Sequence, residues 1–192
     1  MSKPPKPTKL RCFVGVKFAL HDQIKPLLED LKIRTEDKSS KLRIVPPENL
    51  HITIKFLGSV GRNQLNSIRA LLSELSGKHQ QHELHCQGIG FFKNSIWVGI
   101  HTDHYLNAIA TEMNMAFVSL GFNAQQKKYV PHVTVARFNR DARIKLSTLL
   151  EIYSGKIWGI IPVKEILLFK SDTLPEGARY SILDNYKLAD VS

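Results

Sequence analysis

No apolar run in this chain approaches the ~20 residues that a helix needs to span a bilayer, which argues against a membrane role. Cysteine is scarce: Cys12 and Cys86 are the only two. Both fall inside strand-like runs and read as reduced, buried thiols, not as a disulfide framework. No GxxxxGK[ST] phosphate loop occurs, which argues against ATP-driven joining chemistry. Acidic residues are outnumbered, with 17 Asp+Glu against 27 Lys+Arg and a formal net charge of +10. Such a surface attracts polyanions and raises their encounter rate, and nucleic acid is the commonest such partner.

What is present is ordinary for a globular protein: 192 residues, 43% hydrophobic and 23% charged. The opening "MSKPPKPTK" has charge but no apolar stretch behind it, so it does not read as a secretory signal. We expect residues 1–9 to be a basic flexible tail and 10–192 to be a single bilobal domain, cytoplasmic and monomeric.

"RCFVGVKF" reads as a strand. "DQIKPLLEDLKI" reads as a helix with Asp22 as N-cap and Pro26 in the first turn. "RTEDKSSK" is a polar loop. "GRNQLNSIRALLSELSG" is an amphipathic helix closed by Gly77. Strands at 82–90 and 95–101 form a hairpin through "GFFKN". A helix over 104–120 stops at Gly121. A strand at 129–138, a short helix near 141–150 and three closing strands complete the chain. Helices alternate with strands, but strands also run consecutively. This predicts an α+β fold with mainly antiparallel sheets flanked by helices.

Two segments share a pattern: "PPENLHITIKFLG" and "KKYVPHVTVARF". Each has Pro, then His-x-Thr in an alternating apolar run, and each precedes a helix. This predicts two pseudo-equivalent lobes. Residues two apart on a strand share a face, so His51 and Thr53 face one way, as do His132 and Thr134. Ile52, Ile54, Val133 and Val135 face the other way. A single His-x-Thr is ordinary on a half-buried strand; two in matching surroundings call for a function.

Cleavage of a phosphodiester suits this layout. One neutral imidazole takes a proton from water, and one protonated imidazole gives a proton to the departing oxygen. The unperturbed histidine pKa of ~6.5 makes both forms available near neutrality. The threonines donate hydrogen bonds to non-bridging phosphate oxygens. No metal and no cofactor is needed.

On "HITIKFLG" and "HVTVAR" the chain resembles the two-histidine phosphoesterases, in particular the RNA 2′,3′-cyclic phosphodiesterases, also called 2′-5′ RNA ligases. "RCFVGV", "GIGFFKNSIWVGI" and "LLFKSDTLPEGARYSIL" extend the resemblance from about Leu10 to Leu188. It implies two lobes with a central groove, and hydrolysis of RNA 2′,3′-cyclic phosphate ends to 2′-phosphates, with 2′-5′ ligation as a companion activity. It implies His51 as proton donor, His132 as proton acceptor, and Thr53 and Thr134 as phosphate clamps. It also implies Phe56 stacking on the terminal base and Arg137 reaching the phosphate. Strict alternation puts Phe56 and Arg137 on the back of their strands, so these two roles need a twist, a bulge or a strand end. Two other readings stay open. One is a cyclic phosphodiesterase for small nucleotides or ADP-ribose cyclic phosphate; the other is a non-catalytic nucleotide-binding module.

Lys55 continues the His51–Thr53 face by alternation. "KHQQHELHC" holds three histidines and a cysteine, but its spacing matches no closed zinc site.

Overall fold

The computed structural model describes residues 9–34, 42–101, 104–138, 146–175 and 177–191. The expected basic tail, the polar loop after the first helix and the start of the short helix near 141–150 lie almost wholly outside the described residues.

The strands are β1 (Leu10–Lys17), β2 (Arg43–Ile44), β3 (His51–Val60), β4 (His82–Phe92), β5 (Ser95–His101), β6 (His132–Arg137), β7 (Ile157–Val163), β8 (Glu165–Leu174) and β9 (Gly177–Lys187). The helices are α1 (Lys25–Arg34), α2 (Leu65–Lys78), α3 (Tyr105–Ser119) and α4 (Leu146–Tyr153). The nine strands make one sheet in the order β7-β4-β5-β6-β3-β1-β8-β9, with β2 also on β6. All the pairings between these strands are antiparallel. Along the eight-strand path four strands lie on each side of the β6–β3 seam, with β2 as the ninth, and the seam itself is thin, with the single registered pair Ile52↔Val133. The two expected lobes are therefore two halves of one continuous sheet.

Helix residues such as Leu27, Leu72, Phe117 and Leu149 pack in one apolar cluster with Val14, Ile52, Ile54, Val133, Val135 and Leu168 from the strands. Burying each such side chain is worth about 1.5–3 kcal/mol. A one-residue slip of β3 or β6 would turn these residues out and the histidines in, so the register is strongly fixed. A second, smaller cluster of Phe13, Leu167 and Phe169, with Tyr180 against it, is separate from that core.

Two local expectations are corrected. Asp22 does not cap α1: the helix begins at Lys25, and the Asp22 carboxylate instead pairs with the Lys25 ammonium at 2.7 Å. Gly77 does not end α2, which runs on to Lys78. Gly121 does follow α3 as its stop, with φ of 83° and its N–H donating to the Val118 carbonyl. The β4–β5 hairpin forms as expected. Cys12 and Cys86 are both buried and unbridged, and burial pushes their thiols up to about 11 and about 12. Among the described residues no helix is long and apolar enough to cross a membrane.

Candidate active site

The two motif strands are neighbours at the seam. Ile52 pairs with Val133, and both are fully buried. One step either way along an antiparallel register sets His51 opposite Thr134 and Thr53 opposite His132. All four side chains then share the face opposite Ile52 and Val133, and all four residues are part-buried. The fold thus brings together two segments 81 positions apart, because each has an apolar back that the helices cover.

Each ring is held in the same way. His51 Nδ1 lies 2.6 Å from the Asn49 carbonyl oxygen, and His132 Nδ1 lies 2.7 Å from that of Val130. A carbonyl only accepts, so Nδ1 carries the hydrogen in both rings. The nitrogen left for proton exchange is Nε2, a bare base when neutral and a donor when protonated. Burial holds both imidazoles below their usual range. The carbonyl bonds oppose that shift, while the positive charge of Arg137 reinforces it at both rings and that of His132 adds to it at His51.

Alternation fails at the same place in both motifs. On β3 the register with β1 runs Gly15↔Thr53 and then Val14↔Lys55, passing over Ile54. On β6 the register with β5 runs Trp97↔Thr134 and then Ile96↔Ala136, passing over Val135. Each is a β-bulge, which places two residues opposite one and flips the facing of everything beyond it. Ile54 and Lys55 are consecutively buried, as are Val135 and Ala136. The next residue emerges in front. Phe56 is 68% exposed and its ring contacts Phe13, which also packs on His51. Arg137 is exposed and its field reaches both histidines. The back-face placement that alternation gives Phe56 and Arg137 is therefore corrected.

The same bulge corrects the placement of Lys55. It leaves the histidine face and is 1% exposed, with Nζ donating to Asn114 Oδ1 at 2.6 Å and to the Asn123 carbonyl at 2.8 Å. It ties β3 to α3 and the chain after it, and burial lowers its pKa.

Several neighbours carry no signal in the sequence. Asn49 is buried; its Nδ2 donates to the Ala178 carbonyl at 2.8 Å, and its Oδ1 accepts from the Tyr180 N–H at 3.3 Å. Its own carbonyl holds His51, so it joins β9 to the histidine. Tyr180 meets His51 edge-on at 4.9 Å, and Phe13 packs on it at 4.7 Å. In the other half, Phe92 meets His132 edge-on at 4.9 Å and Trp97 lies at 5.9 Å. The Trp97 indole lies across Gly90, where any Cβ would collide with it. Of the two aromatics in "GFFKN", Phe91 packs on the core and Phe92 is exposed beside His132. Tyr129 Oη donates to the Thr53 carbonyl at 3.1 Å.

Two cavities lie beside His51, reached through Tyr180 and, for the smaller, Phe13, although neither histidine lines them. One of about 370 Å³ is lined by Phe13, Phe56, Tyr180, Ser171, Thr173 and Arg137, among others. The second, of about 620 Å³, shares Arg137 and Tyr180 with it. Among the described residues there is no cluster of three or more His, Cys, Asp or Glu suited to a metal. In "KHQQHELHC", His79 is engaged by Glu112 at 2.7 Å.

A doubled His-x-Thr on the central strands of a two-half antiparallel sheet is the mark of a two-histidine phosphoesterase. A family model described as LigT like Phosphoesterase matches residues 19–97. Proteins named RNA 2′,3′-cyclic phosphodiesterase are similar over most of the chain. That of Archaeoglobus fulgidus is 30% identical over 91% of this chain and 98% of its own. That of Methanocaldococcus jannaschii is 32% identical over 82% and 91%. The chain belongs to this RNA 2′,3′-cyclic phosphodiesterase family. The fold is also that of E. coli LigT in its complex with 3′-AMP, with a TM-score of 0.75 at 19% identity over 94% of this chain and 99% of that one.

Proposed function

We propose that this chain, with residues 10–192 acting as one unit, hydrolyses RNA 2′,3′-cyclic phosphate ends to 2′-phosphates by paired-histidine acid–base catalysis. The observation that carries the reading is the repeated ring mount: two histidines on adjacent central strands, each with Nδ1–H on the carbonyl two residues earlier. Each Nε2 is thereby reserved for moving a proton.

In the step, His132 Nε2 takes a proton from water as the water oxygen bonds to phosphorus. The P–O3′ bond breaks, and protonated His51 Nε2 delivers its proton to O3′. Thr53, Thr134 and Arg137 hold the non-bridging oxygens, and Phe56 stacks on the terminal base. The assignment of donor and acceptor follows the family resemblance. Resting histidines of lowered pKa favour the neutral base. The anionic phosphodiester offsets the field of Arg137 and so restores a proton to the acid. A ribose 5′-hydroxyl in place of water gives a 2′-5′ linkage by the same step.

The test is hydrolysis of a short RNA ending in a 2′,3′-cyclic phosphate, in EDTA, by the parent, His51→Ala and His132→Ala. We expect turnover by the parent and a loss of at least ~10²-fold in each variant, the lower bound for one proton transfer. Binding without turnover by the parent would make the chain a nucleotide-binding module.

A further inference from the structure

We propose that Arg43 and Arg179, together with Arg137, form a second phosphate subsite that holds the internucleotide phosphodiester next to the cyclic end. The inference rests on the proposed reading of the histidine site and extends its substrate class: the enzyme is built for a strand of at least two nucleotides.

The three arginines line the 620 Å³ cleft. Arg43 on β2 is the direct cross-strand partner of Arg137 on β6. Directly opposed residues put their side chains on one face, and like charges there destabilise the pair. Arg179 comes from the far wall on β9, beside Tyr180. Among the described residues no carboxylate lies within ion-pair distance of these three guanidiniums. The cross-strand neighbour of Arg179 is Asp172, whose carboxylate is taken by Lys170 at 2.8 Å. Among the described residues Glu48 is the one acidic residue lining the cleft, and it forms no ion pair with the arginines. Among the described residues the folded chain thus gathers three guanidiniums around a cavity with one carboxylate, Glu48, and pairs none of the three with a counter-charge.

An anion entering the cleft supplies that counter-charge. Guanidinium forks match phosphate oxygens two at a time, so three of them suit a phosphodiester better than any neutral group. The position identifies which phosphate. Arg137 belongs both to the histidine site, through its field, and to the cleft, through its lining. The smaller cavity, with Arg11 and Arg137 in its lining, also offers the aromatic and hydroxyl groups that suit a base and ribose. The larger one has a single aromatic ring, that of Tyr180, and gathers three arginines. A strand whose terminal phosphate sits at the histidines and whose terminal base sits on Phe56 leaves past Arg137 into the arginine cleft.

The experiment compares a nucleoside 2′,3′-cyclic phosphate with a dinucleotide bearing the same cyclic end, for the parent, Arg43→Ala, Arg179→Ala and the two lysine variants. The parent is expected to favour the dinucleotide in kcat/KM by about 10-fold or more at low salt. Each alanine variant should lose about 10-fold on the dinucleotide, the scale of a lost charge-assisted phosphate contact. Each should stay within about 2-fold of the parent on the mononucleotide, and lysine should restore part of the loss. The slope of log(kcat/KM) against log[salt] should flatten by about 0.7 for a lost phosphate contact. Equal losses on both substrates, or no loss on the dinucleotide, would overturn the subsite. A parallel binding arm uses the corresponding 2′-phosphates, which need no turnover. If the parent hydrolyses neither substrate, the proposed activity fails. The subsite then stands or falls on whether Arg43 and Arg179 set the affinity gap between dinucleotide and mononucleotide 2′-phosphates.

Discussion

Replacing Arg137 by alanine separates substrate contact, histidine tuning and structural support in one variant. The side chain is exposed, and among the described residues it makes no ion pair, so the fold has little to lose. A surface change of this kind alters stability by about 0.5 kcal/mol or less, which is roughly 1–2 °C in Tm for a chain of this size. The phosphate contact is worth far more. A hydrogen bond to a charged group contributes about 1.5–3 kcal/mol. At about 1.4 kcal/mol per tenfold, kcat/KM should fall about 10- to 150-fold. The pH profile should move as well. Arg137 depresses both histidines through its charge, so its removal lets both pKa values rise. Both limbs of the kcat/KM bell should therefore shift to higher pH. Arg137→Lys keeps the charge but loses the fork. It should keep the parental profile while recovering only part of the rate. The assay is initial-rate hydrolysis of a cyclic-phosphate RNA across pH, with Tm measured on the same samples. A rate loss with unmoved limbs in Arg137→Ala would refute the electrostatic link. A loss that tracks a large Tm drop would refute the claim that the residue acts on the substrate.

Asn49→Ala should cost about 1–3 kcal/mol, since two hydrogen bonds across a buried junction are lost. Calorimetry should show Tm lower by roughly 3–9 °C, with reduced activity because Tyr180 loosens from His51. The paired histidines also make stability pH-dependent. Their folded pKa values lie below the unfolded value of ~6.5, so the unfolded chain binds more protons as pH falls through ~6.5. Stability should therefore drop on the acid side of ~6.5, by at most about 1.4 kcal/mol per pH unit per histidine. Denaturant unfolding at pH 7.5 and 5.5 should show a smaller gap in a His51→Gln/His132→Gln variant than in the parent.

The sequence by itself determined most of the elements and which residues face together at the candidate site. Period-two runs gave the strands, and Ile52, Ile54, Val133 and Val135 showed which face of each motif strand is buried. That fixed His51 with Thr53 and His132 with Thr134, because short-range facing depends only on strand geometry. The doubled motif also pointed to the family. What alternation could not reach lies beyond the two bulges. Ile54 and Val135 are each passed over only because β1 and β5 dictate the register beside them. A bulge is a property of the pair and not of one strand, so the facing of Lys55, Phe56 and Arg137 was decided by tertiary structure. The same holds for Asn49, whose partners on β9 lie 129 and 131 positions away. It holds too for Arg43 and Arg179, which become neighbours of Arg137 only because β2 docks on β6 and β9 comes to the other wall of the cleft. Local side-chain pattern writes the face of a strand; pairing across the sheet decides where that face is interrupted and what stands opposite it.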